Sequence, residues 1–148
     1  MKKIAALIGL FFLLCSFDQT FFEELKQKSE LKNDQYLIVV YFHPGSCVKC
    51  YLEPLKIIDG VSRKVDRNKI KIIGLIRCDR DIEMKVFLRE NDWKYSIFRD
   101  DGKCRKKLGV FDTAIMTVFN YNGDKKISIS TGKMKKNSKK IINFINRN

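Results

Sequence analysis

Two of the five cysteines in this chain, Cys47 and Cys50, are separated only by Val48 and Lys49. That spacing puts two thiols within reach of each other on one helical turn. It suits a reversible redox dithiol, a fixed structural disulfide, or half of a soft-metal site. Tetrahedral zinc needs two further ligands, and Cys78 and Cys104 form no second close pair. A copper carrier would use the only histidine, His43, together with Cys47 and Cys50; the plainer role for His43 is packing beside the pair. The redox dithiol is the favoured reading, with no metal and no cofactor expected.

The surrounding sequence sharpens this. Tyr36 to Phe42 (YLIVVYF) is a continuous apolar run, as in a central strand covered on both faces. Pro44-Gly45-Ser46 breaks it, and a helix is predicted from about Cys47 to about Lys64, with Leu52, Leu55, Ile58 and Val61 inward. A thiol at that junction meets unpaired backbone N–H groups and the positive end of the helix macrodipole, both of which favour thiolate. Lys49 adds a nearby positive charge. Cys47 then suits the attacking role and Cys50, one turn inward, the resolving role. Glu53 lies at i+3 from Cys50 and is a candidate acceptor for the resolving thiol's proton, set against an ordinary solvated helix Glu.

The remaining elements follow from periodicity. Thr20-Phe21-Phe22-Glu23 opens a helix as a capping box, and Asn33-Asp34 ends it. Lys69 to Arg77 is a second buried strand, parallel to the first by right-handed crossover. Asp81 to Glu90 is a short helix with Met84, Phe87 and Leu88 inward. Tyr95 to Phe98 is a short strand, and Cys104 to Leu108 is a helical turn ended by Gly109. Ile115 to Asn120 and Lys126 to Ser130 form a hairpin through Asn122-Gly123. A last helix runs from Ser138 to Asn146, burying Ile141, Ile142 and Ile145. The sum is an α/β sandwich on a mixed sheet. Trp93 reads as a packing or rim aromatic and Cys78 as a core thiol, with a Cys78–Cys104 disulfide left open.

At the N-terminus a charged start, Met1-Lys2-Lys3, precedes the uncharged apolar run Ile4 to Leu14. This is an export-signal layout, shorter than the roughly 20 residues that span a bilayer. Cys15, directly after the run, fits a lipoprotein cut before and lipidated at that cysteine; simple cleavage and an uncleaved anchor are the alternatives. Residues 1–16 are thus read as signal and 17–148 as one domain, placed in the periplasm or anchored to a membrane facing it. The formal charge is +13. Neither a phosphate loop nor a zinc-finger or RNA-recognition motif accompanies it, so nucleic acid is not an expected partner. The lysines from Lys133 to Lys140 read as a solvated helix edge that could also face a membrane surface.

Val39 to Pro54 (VVYFHPGSCVKCYLEP) resembles the active-site strand and helix of the thioredoxin superfamily, above all its envelope reductase branch, where the second cysteine is followed by a Glu three residues on and a Pro soon after, here Glu53 and Pro54, the Pro one residue early. The segments Tyr95 to Gly102, Leu108-Gly109-Val110 and Val118 to Gly123 are similar to that family's strand, turn and hairpin. The resemblance covers about residues 36 to 146. It implies a thioredoxin-like three-layer α/β/α sandwich on a mixed sheet and thiol–disulfide exchange with protein thiols and disulfides of the cell envelope. It also implies a membrane thiol relay as electron source. The sequence departs from the family at three places: Ser46 where an aromatic precedes the first cysteine, Ala114 where a cis-proline faces the dithiol, and Tyr41 where cytosolic members bury an acid.

Overall fold

In the computed structural model, residues 20–43 and 48–147 are described, without the side chains of 48–51 and 134. The elements are α1 (20–28), β1 (Tyr36–Phe42), α2 (Val48–Ser62), β2 (Ile70–Arg77), α3 (Asp81–Glu90), β3 (Ser96–Asp100), α4 (Cys104–Lys107), β4 (Met116–Phe119), β5 (Lys126–Ile129) and α5 (Met134–Arg147). They build one mixed sheet in the order β3-β2-β1-β4-β5. The β1–β2 and β2–β3 pairs are parallel, and β1–β4 and β4–β5 antiparallel.

All seven residues of β1 are buried. Because side chains alternate across a strand, one sequence serves two cores. Tyr36, Ile38, Val40 and Phe42 enter the core under α2, α3 and α5, with Ile57, Ile58, Val61, Phe87, Ile141 and Ile145. Leu37, Val39 and Tyr41 enter the opposite core, with Phe22 and Leu25 of α1 and Cys104 and Leu108 beside α4. The result is the three-layer sandwich that the resemblance implies.

Some expected faces are turned. Leu52 is 46% exposed rather than buried, because Ile57, Ile58 and Val61 set the inward direction of α2 and Leu52 lies well round the helix from them. Leu88 is likewise 37% exposed, and α3 contributes Phe87 to the core with Met84 packed against it.

The first helix stops before Asn33. Leu31 N–H bonds the Lys26 carbonyl at 3.0 Å and Glu30 N–H bonds that of Gln27 at 3.1 Å. Glu30 sits at φ 53, a left-handed cap position where glycine is usual. Gly109 (φ 59) does the same after α4, as its sequence position foretells.

The hairpin loop between β4 and β5 holds α1 in place. Gly123 has φ +73, and a Cβ there would fall 2.5 Å from Phe22 Cδ1; Phe22 in turn packs on Phe119 with ring centroids 5.2 Å apart. Gly123→Ala is therefore strained in its backbone and collides with an aromatic at the root of α1. A thermal melt is expected to show a Tm lowered by several degrees, at about 2–4 °C per kcal/mol lost.

Candidate active site

The site begins where β1 ends. Phe42, the last residue of the strand, is held between Phe87 (centroids 4.9 Å, tilted) and Trp93 (4.9 Å, edge-on). Trp93 is thus a packing residue. Gly74 on β2 makes room, since a Cβ there would lie 3.1 Å from atoms of Phe42, Trp93 and Ile97. His43 follows, exposed at the end of the strand. Cys47, like Cys15, lies outside the described residues. Cys50 and Lys49 have backbone positions in the first turn of α2 as described, and their side chains are not among those described. Pro54, also in α2, lacks the N–H that would bond the carbonyl of Cys50.

The sheet brings a second segment to the same edge. Tyr41 N–H donates to the Ile115 carbonyl at 3.0 Å, so the residues leading into β4 run beside those leaving β1. Ala114 is 1% exposed, and its carbonyl accepts from Arg105 Nε at 3.1 Å. The peptide bonds of the described residues are trans. The Arg105 guanidinium also covers the Tyr41 ring, 4.6 Å from its centroid. Arg105 is a residue that the sequence did not single out. Nothing in its local pattern marks it, because its partners lie on β1 and in the loop before β4.

Tyr41 offers no base. Burial pushes its phenol well above the ordinary tyrosine range; a contact with Thr117 and the charge of Arg105 pull the other way without reversing it. Its oxygen makes no hydrogen bond of good geometry among the described residues. At neutral pH it is a neutral phenol.

Glu53 is half-buried, and its Oε1 accepts the backbone N–H of Gly132 at 2.5 Å. It thereby fastens α2 to the turn between β5 and α5, a part not foreseen for it. Glu53→Gln keeps an acceptor at that place whereas Glu53→Ala does not. If the bond to Gly132 is its main duty, the Ala variant is expected to lose about 1 kcal/mol in denaturant unfolding while the Gln variant keeps wild-type stability and thiol-exchange rate. A slowed exchange in Glu53→Gln at unchanged stability would instead mark the carboxylate as a proton acceptor.

Cys78 and Cys104 are both free and buried, and they occupy opposite cores, Cys78 under α2 and α3 and Cys104 under α1. The sheet separates them and no bridge joins them. Burial raises the Cys78 thiol's pKa. The Cys104 thiol is pushed up to about 12, first by burial and then by the neighbouring carboxylate of Asp100. Asp100 is 3% exposed and accepts from the backbone N–H groups of Gly102 (2.7 Å) and Cys104 (3.2 Å), which fixes the turn into α4. Donor atoms of Asp100, Asp101 and Cys104 lie within 4.8 Å of one another, but the buried carboxylate is committed to its own turn and the thiol holds its proton. Because the folded thiol titrates above the unfolded one, its contribution to stability is complete below pH 9 and is lost toward about pH 12. Melting curves across that range should show an alkaline fall in Tm that is shallower in Cys104→Ala.

Solved structures of similar shape are numerous. A thioredoxin-related protein from Neisseria meningitidis serogroup B shares 17% identity with this chain at a TM-score of 0.61, covering 80% of this chain and 89% of that one. The chain has the thioredoxin fold. Two further thioredoxin-fold neighbours are a thiol:disulfide interchange protein of the thioredoxin family from Chlorobium tepidum TLS and a secreted disulfide oxidoreductase from Mycobacterium tuberculosis. The first has 17% identity and a TM-score of 0.55, covering 76% of this chain and 81% of that one. The second has 11% identity and a TM-score of 0.51, covering 78% and 84%. No family model matches the sequence, and no curated protein matches it.

Proposed function

We propose that this chain is an exported thiol–disulfide oxidoreductase, with residues 1–16 as its signal and 17–148 as its working domain. The reading is carried by one juxtaposition: the Cys47–Cys50 spacing falls at the junction between the central strand of a thioredoxin fold and the start of α2. Unpaired N–H groups, the helix dipole and Lys49 would all lower the pKa of the first thiol.

In the forward step the Cys47 thiolate attacks one sulfur of a client disulfide. A Cys47–client bond forms, the client S–S bond breaks, and the other client sulfur leaves as thiolate. Cys50, once deprotonated, attacks the Cys47 sulfur and expels the second client thiolate. The client is reduced by two electrons and the Cys47–Cys50 disulfide is formed. Return to the dithiol takes two electrons from a second thiol pair, the part assigned to a membrane thiol relay. Envelope proteins bearing thiols or disulfides are the proposed clients.

One observation favours a second reading, a binding module without catalysis. Ala114, in the segment beside the end of β1, is buried, stands where the resemblance implies a cis-proline, and already has its carbonyl bonded by Arg105.

Cys50→Ser should accumulate mixed disulfides through Cys47 that dithiothreitol releases, and insulin reduction should fall at least a hundredfold in Cys47→Ser. Alkylation of Cys47 in the reduced protein should titrate with a midpoint below about 7.5, against about 8.5 for a free thiol. No trapped species, no insulin reduction and a midpoint near 8.5 would together overturn the catalytic reading in favour of the module.

A further inference from the structure

The charge of this protein is unevenly spread. From Lys125 to Asn148 the sequence holds seven lysines and one arginine, and no Asp or Glu. Helix α5 carries four of those lysines, Lys135, Lys136, Lys139 and Lys140, all exposed. The opposite side of the helix is buried through Ile141 and Ile145. Spacing of i,i+4 sets Lys135 over Lys139 and Lys136 over Lys140, so the cations form one stripe on the outer face.

Two physical effects oppose this arrangement in the isolated domain. Like charges at i,i+4 repel, and cations in the first turns of a helix face the positive end of its macrodipole. The first turn of α5 contains no acidic residue, and among the described residues no ion pair engages any of the four lysines. Glu53 holds the turn before the helix, but among the described residues no carboxylate pairs with the stripe. An anionic surface lying against it would.

We propose that the outer face of α5 rests on an anionic lipid surface. Charge complementarity commits the stripe to an anion. The N-terminal segment makes that anion a membrane: the apolar run Ile4 to Leu14 precedes the domain, so a chain retained there by its signal or by lipid at Cys15 has headgroups as its nearest extended anionic surface. Apolar insertion is not part of the contact, because the isoleucines of α5 face the core. Lysines held near such a surface each strengthen binding by roughly fivefold, and salt weakens the contact.

The test uses the full chain and lipid vesicles. Partition onto phosphatidylcholine vesicles reports the N-terminal segment, and the increment on adding 30% phosphatidylglycerol reports the stripe. The variant carries Gln at positions 135, 136, 139 and 140. A control with the same loss of charge carries Gln at positions 32, 64, 85 and 106, exposed lysines on other parts of the molecule. The α5 variant is expected to lose the increment by about a hundredfold or more, to melt no lower than wild type because repulsion is relieved, and to leave insulin reduction unchanged. The control should keep most of the increment. Equal losses in both variants would overturn the proposal by reducing it to net charge. So would the absence of any increment in the wild type, and so would stripe-dependent retention on immobilised polyglutamate without one, which would assign the face to an acidic protein. The outcome is independent of the dithiol, since Cys47→Ser protein should partition as wild type does.

Discussion

Everything in this molecule is arranged around a strand that water does not reach. β1 is paired along its length on one side with β2 and over Leu37 to Val40 with β4 on the other, and its side chains fill a core on each face. Full burial of a large apolar side chain is worth about 1.5–3 kcal/mol, so this seven-residue segment is a major contributor to the hydrophobic stabilisation of the domain. It also sets register: a slip of one residue would exchange the two cores, sending Tyr41 under α2 and Phe42 under α1. The end of such a strand is a well-fixed place from which to launch a reactive loop. Phe42, the last residue of the strand, is clasped by Phe87 and Trp93.

The same frame sorts thiols by environment. Burial favours the protonated form of Cys78 and of Cys104, helped at Cys104 by the Asp100 carboxylate. A sulfur at the start of α2 would lie among backbone donors that favour the opposite form. Reactivity is therefore decided by where in the sandwich a cysteine is placed. The surroundings of the end of β1 are arranged differently from what the resemblance leads one to expect. The buried acid is replaced by a phenol under a guanidinium, and the loop before β4 is held through a side-chain bond from Arg105 to Ala114.

Much of this was legible in the sequence, and the pattern of what was not is instructive. YLIVVYF marks a doubly buried strand because it is apolar at every position, with no polar alternation. Asp81–Glu90 coincides with its prediction, and the hairpin through Asn122-Gly123 follows from turn chemistry. Helix facing was less secure. Leu52 and Leu88 are apolar at helical spacing, yet whether such a residue is covered depends on the crossing of its helix over the sheet. The start of α5 was set too late because Lys135 and Lys136 lack apolar character; the turn before it is stapled by Asn137, whose side-chain amide bonds the carbonyls of Ser130 and Gly132. The bonds of Glu53, Arg105 and Asp100 were not foreseen. The first two reach partners distant in sequence, and the third depends on a burial that an Asp-Asp-Gly turn does not advertise.

The placement of Cys78 and Cys104 on opposite sides of the sheet bears on how such a chain could survive oxidation. Setting Cys15 aside, the other four cysteines permit three complete pairings, and only one of them joins Cys47 to Cys50, leaving Cys78 and Cys104 to each other. Once the sheet has formed, that last union is blocked by a layer of interlocked backbone. An oxidant acting on the finished domain then closes at most one intramolecular ring without tearing a core thiol from its packing. The fold thus behaves as an insulator between two buried sulfurs.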